Sequence, residues 1–126
     1  MITGSGNPNH QAHLQLALFE LYAGRTDEAE TLLDIARSGE VERNESEVLL
    51  ARIALMASNP QEAVALLRAS IDGRHPSKTP EHHYELARAY EYMGELAQAR
   101  KIDAAINQLV PGFAEAYEAR RPKFEK

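Results

Sequence analysis

The sequence predicts an all-α fold: an alpha-alpha superhelix, or solenoid, of about three helical hairpins closed by a C-terminal capping helix. Two observations carry this expectation. The segments GRTDEA, SNPQEA and GELAQA end on Ala29, Ala63 and Ala99, at spacings of 34 and 36 residues. A leucine–alanine pair precedes each of these alanines at a constant distance, as Leu16-Ala17, Leu50-Ala51 and Leu86-Ala87. Self-similarity at a fixed period of about 20–50 residues marks a stack of equivalent supersecondary units. The two extra residues of the second interval fall in GRHPSKTP, residues 73–80, whose composition is that of a loop.

The elements follow in order. Residues 1–9, MITGSGNPN, show no helical periodicity, and they lack the basic start and apolar stretch of a secretory signal. They are expected to be a flexible leader or a tag remnant. The units then span about 10–43, 44–79 and 80–113, with a capping helix at 114–121. In the first unit Gly24 marks the turn, and Asp27 and Glu28 sit in the first turn of the second helix, where acidic groups complement the helix dipole. In the second, Ser58-Asn59-Pro60 replaces the glycine, with Pro60 at a first-turn position that has no hydrogen bond to lose. In the third, Pro80 opens a helix on which Tyr84, Leu86, Ala87, Tyr90 and Met93 recur at helical spacing. Gly94 ends it by taking up a left-handed conformation. A second helix follows with Leu96, Ala99, Ile102, Ile106 and Leu109, and Pro111 closes it. The recurring alanines have a physical reason: helices that cross at close range need small residues where their axes approach. Ala17, Ala51 and Ala87 are expected to face Ala29, Ala63 and Ala99.

Composition excludes several functions. The 126 residues carry a net charge of −5 and 44% apolar residues. An acidic balance argues against tracking a nucleic-acid backbone, which needs clustered Lys and Arg. The one basic cluster, Arg120, Arg121, Lys123 and Lys126, reads as a solvated tail. No apolar run reaches the roughly 18 residues of a membrane span, so no membrane insertion is expected. The chain has no cysteine, which removes disulfides and thiolate chemistry. His10 and His13 share a helix face, while His82 and His83 are adjacent and point apart; with His75 they do not form the convergent set a metal needs. No phosphate loop, nucleophile elbow or zinc-protease motif is present. The expectation is therefore no enzyme, no cofactor and no metal.

The order of residues resembles the tetratricopeptide repeat, a 34-residue helix-turn-helix unit with the pattern W-x2-L-G-x2-Y followed by A, F and P. The third unit matches it at Leu86, Ala87, Tyr90, Gly94, Ala99 and Pro111. The second matches at Leu50, Ala51, Ala63 and Leu67, and the first at Leu16, Ala17, Gly24, Ala29, Leu33 and Ala36. Residues 114–117 resemble the start of a fourth unit, with Tyr117 at the tryptophan site. The pattern is departed from at His13, Glu47 and His83, which hold the tryptophan site, and at Asp103, which holds a usually aromatic one.

The resemblance implies a groove lined by the first helix of each unit. Carried over by register, its wall comprises Gln11, Leu14, Leu18, Leu21 and Tyr22, then Glu45, Val48, Arg52, Leu55 and Met56, then Glu81, Tyr84, Arg88, Glu91 and Tyr92. The partner-binding candidates are Leu14, Leu18, Tyr22, Val48, Arg52, Met56, Tyr84, Arg88, Glu91 and Tyr92. Arg52 and Arg88 are expected to be exposed, because long charged side chains seldom bury. Chaperone-tail binding is not expected, since the places of the family's carboxylate clamp hold Leu14, Leu18, Arg52, Glu81 and Glu85. The function expected is a non-catalytic scaffold that holds a peptide or helix of a partner protein. The alternatives are a self-association module, giving a homo-oligomer, and an accessory region of a larger enzyme or secretion component.

Overall fold

Thirteen residues after Asn9 form the first helix, α1 (His10–Tyr22), and it is followed by α2 (Thr26–Ala36), α3 (Arg43–Met56), α4 (Pro60–Ile71), α5 (Pro80–Tyr92), α6 (Leu96–Leu109) and α7 (Phe113–Arg120). The computed structural model describes residues 9–124, and among them there is no strand. The fold is all-α, with helices that pack against their neighbours in sequence. Residues 1–8 of the expected leader lie outside the described residues. Asn9 belongs to the fold: its Oδ1 accepts a hydrogen bond from the backbone N–H of Ala12 at 3.0 Å and so caps α1.

By its contacts the chain divides between Leu49 and Leu50, inside α3. In the first unit α1 packs on α2. Leu14, Ala17 and Leu21 of α1 are buried, as are Ala29, Leu33 and Ala36 of α2. The expected alanines, Ala17 and Ala29, are wholly enclosed.

In the second unit one apolar cluster joins Ala51 and Ala54 of α3, Ala63 and Leu67 of α4, and Leu86 and Ala89 of α5. Ile102 of α6 packs against it. A second cluster joins Tyr84 of α5, Ile106 of α6, and Phe113 and Tyr117 of α7. Helix α5 thus has one face on the hairpin before it and another toward α7. This is the arrangement a repeat requires, because a lone hairpin cannot bury both of its faces. Ala87 and Ala99 are buried where α5 meets α6.

The turns follow the chemistry of their residues. Gly24 and Gly94 have φ of 83° and 81°, the left-handed region that costs glycine nothing. Ser58 takes the same role without that freedom, at φ 61°. Asn59 then caps α4 by accepting from the N–H of Glu62, and Pro60 stands at the first turn. The 73–80 loop contains a 3-10 turn at Pro76–Lys78 before Pro80 opens α5. The first turns of α2 and α4 are acidic, whereas that of α6 is not: Glu95 precedes it, at the cap position.

Candidate functional site

Helix α5 presents a charged and aromatic strip, Glu81, Tyr84, Glu85 and Arg88, at three- and four-residue spacing. At its centre is Glu85, which is 0% exposed. A carboxylate removed from water must be paired and hydrogen-bonded to be tolerated. Arg121 supplies the pair in a two-pronged geometry: its Nε donates to Oε2 and its Nη2 to Oε1, each at 2.7 Å. The Tyr117 hydroxyl of α7 donates to Oε2 at 2.7 Å. Such planar, bidentate charge-assisted bonding is what arginine, and not lysine, can give a carboxylate.

Arg121 does not stand alone. After α7 the backbone turns extended, with φ −66° and ψ 125° at Arg121. Pro122 favours that geometry, since the residue before a proline is pushed out of the helical region. The carbonyl of Pro122 accepts a hydrogen bond from Nη2 of Arg52 at 2.6 Å. Phe124 then lays its ring 4.2 Å from the Arg52 guanidinium carbon and is itself 7% exposed. Residues 121–124 therefore lie as a short non-helical strip against α3 and α5, held at three points. Around this strip, Tyr84 donates to Glu118, Lys123 lies 3.4 Å from Glu118, and Arg120 pairs with Glu81 at 3.2 Å.

Electrostatics follow from the geometry. Burial, then the charge of Glu85 and the bond to it, push the Tyr117 phenol well above its ordinary value. Burial and the bond to Glu118 likewise raise Tyr84. The hydrogen bond from Tyr84, with attraction from Arg121 and Lys123, holds Glu118 below the ordinary carboxylate value.

The ten candidates from the sequence fall into three sets by exposure. Leu14, Val48, Arg52 and Tyr84 are buried, so they do not line an open wall. For Arg52 the expectation of exposure is corrected: it is 0% exposed, and Pro122 and Phe124 cover it. Arg88 is half-buried and engaged within its own hairpin. It pairs with Asp103 of α6 and Glu91, and its guanidinium lies 4.5 Å from the Tyr84 ring centroid. Asp103, a departure from the repeat pattern, thereby has a structural role. Leu18 is half-buried, while Tyr22, Met56, Glu91 and Tyr92 are exposed. Tyr92 donates to the Ser58 hydroxyl at 3.2 Å, which fixes its ring at the α3–α4 turn.

The reading of the C-terminal basic cluster as a solvated tail is corrected for Arg121, which is nearly enclosed against Glu85, whereas Arg120 and Lys123 are exposed. Arg120, Arg121 and Lys123 all pair with acids of the chain, and Lys126 lies outside the described residues. The groups that sequence reasoning missed are Glu85, Tyr117, Arg121 and Phe124. The signal was present: an acid flanked by Tyr84, Leu86 and Ala87 sits in an apolar register and needs a counter-charge. The two acids that argued against a carboxylate clamp, Glu81 and Glu85, receive Arg120 and Arg121 instead.

A cleft of about 290 Å³ opens between α4, α5 and α6 and is lined by Arg68, Ile71, Asp72, His83, Leu86, Gln98 and Ile102. His83 has its Nδ1 2.8 Å from the Thr79 carbonyl. Among the described residues no helix is long and apolar enough to cross a membrane. No family model, no curated protein and no solved structure matches the chain in comparisons against each.

Proposed function

We propose that the chain is a non-catalytic helical-repeat scaffold of the tetratricopeptide kind, which holds an extended segment of a partner protein on the face built by α3, α5 and α7. One observation carries the reading: this face already holds a non-helical segment, residues 121–124, through Arg52 of α3 and Glu85 of α5, with Arg52 taking up the Pro122 backbone carbonyl. The 34-residue period, the enclosed alanines and the left-handed turns support the family assignment. Exposed Met56 and Tyr92, at the ends of α3 and α5, extend the face beyond the occupied strip and offer the apolar and aromatic contacts that dominate protein recognition.

The test is selection of peptides from a displayed random library on the immobilised full-length chain. Selected peptides should lose at least about tenfold in affinity on the Met56→Ala/Tyr92→Ala variant, the loss expected for truncating a binding hot spot. The far-UV circular dichroism of the variant should be unchanged. Selected peptides that bind wild type and variant equally would refute this placement of the site.

A second reading, self-association, is favoured by α1. Leu16, Phe19 and Tyr22 are exposed at three-residue spacing along one helix. Light scattering across a concentration range should then show a mass that rises and that Phe19→Glu returns to monomer. A fixed monomer mass would rule it out.

A further inference from the structure

The strip that fills the site has a defined chemistry, and each part of it is read by a different group. The fully buried Glu85 carboxylate reads a guanidinium through two parallel hydrogen bonds. Arg52 reads the carbonyl of the next residue through Nη2, and the aromatic ring two residues further on through the face of its guanidinium. Tyr117 holds the Glu85 carboxylate from α7. The proline between arginine and ring keeps the strip extended before it docks, which lowers the entropy lost on binding.

We propose that Glu85 and Arg52 form a recognition subsite for an extended peptide with an arginine followed three residues later by an aromatic ring, and that residues 121–124 occupy it in cis as a competing pseudo-ligand. The proposal rests on the peptide-scaffold reading above and names its ligand class. A partner segment of this pattern displaces the tail by supplying the same guanidinium, carbonyl and ring. The tail competes from a tethered position, at an effective concentration of order millimolar. Binding of a free peptide is weakened by the fraction of chains whose site is already filled. The wild-type chain is therefore a restrained binder, and loosening the tail releases it.

The probe is a fluorescein-labelled peptide of sequence ARRPKFEK, which corresponds to residues 119–126, titrated by anisotropy into the full-length chain. In the Phe124→Ala variant the cis ring is gone while Glu85 and Arg52 are untouched, so affinity should rise by about tenfold or more over wild type as the filled fraction falls. Adding Glu85→Gln to that variant should remove the gain, and so should replacing the peptide's second arginine by alanine. Phe124→Leu, which keeps apolar bulk at the site, should give a smaller gain and serves if Phe124→Ala does not fold. A folded Phe124→Ala or Phe124→Leu chain that binds ARRPKFEK no better than wild type, or no better than a scrambled peptide, would overturn the proposal. So would a mass that doubles with concentration in wild type and not in Phe124→Ala, because the tail of a second copy would then be the occupant. Library-selected peptides that need Tyr92 but do not compete with ARRPKFEK would defeat this inference and leave the scaffold reading standing.

Discussion

Replacing Arg121 by alanine removes the bidentate partner of the Glu85 carboxylate and leaves it the Tyr117 hydroxyl as a donor. Removing one partner of a buried ion pair costs about 3–5 kcal/mol, because the remaining charge stays desolvated. Glu85 is fully enclosed, whereas the Arg121 side chain is 15% exposed and lies at the rim. Water can enter the vacated space, which places the effect at the lower end, about 3 kcal/mol. Urea unfolding with a slope of about 1–3 kcal/mol/M converts this to a midpoint shift of about 1–3 M. Tyrosine fluorescence suits the assay, since four of the five tyrosines, all but Tyr22, lie in the unit that begins at Leu50. Glu85→Gln in the Arg121→Ala background should recover much of the loss by removing the stranded charge. The exposed pair Lys123–Glu118 is the control, and Lys123→Ala should cost no more than about 0.5–1 kcal/mol. An Arg121→Ala chain within about 0.5 kcal/mol of wild type would show that Arg121 sits in solvent, and the reasoning about the site would fail with it.

Other outcomes follow from single features. Gly94→Ala should cost about 1–2 kcal/mol from backbone strain alone, since a Cβ there meets no neighbour within 4 Å, whereas Ser58→Gly should stabilise by up to about 1 kcal/mol, less the bond from Tyr92; a lowered melting temperature for the first and a smaller shift, no lower than wild type, for the second check both. Tyr117 and Tyr84 are held above the phenol value of 10.0, so their contribution is complete below pH 10 and is lost as pH rises beyond it; absorbance at 295 nm should show late-titrating phenols, and Tyr117→Phe should lessen the alkaline loss. Glu118 is held below its ordinary 4.5, so its contribution is present above that pH and is lost as the solution is acidified through it; melting curves of Glu118→Gln should be flatter with pH on the acid side than those of wild type.

The hairpins were legible because repetition writes the same constraint several times. The alanines at 17, 29, 51, 63, 87 and 99 are all enclosed, and the positions of Gly24, Gly94, Pro60 and Pro80 mark helix boundaries by local chemistry. The repeat register was less informative about exposure. Leu16, Leu50 and Leu86 occupy one register position, yet Leu86 is buried against the preceding hairpin while Leu16 is exposed, and no helix precedes α1 among the described residues. The candidate site was least legible. Its central pairs, Glu85 with Arg121 and Arg52 with Pro122 and Phe124, join residues 36 to 72 apart in sequence, and no periodic signal reports such contacts. A cation cluster at the end of a chain reads as a solvated face unless a buried acid elsewhere is recognised as needing it.

The most direct test of the account is the environment of Phe124 in solution. With its ring 4.2 Å from the Arg52 guanidinium carbon, ring currents should move the Arg52 side-chain proton resonances upfield, with nuclear Overhauser contacts between the two residues, and both effects should vanish in Phe124→Ala. Phe124 resonances at random-coil positions in wild type, with Arg52 resonances unchanged by the substitution, would contradict the claim that α3 and α5 seat the strip.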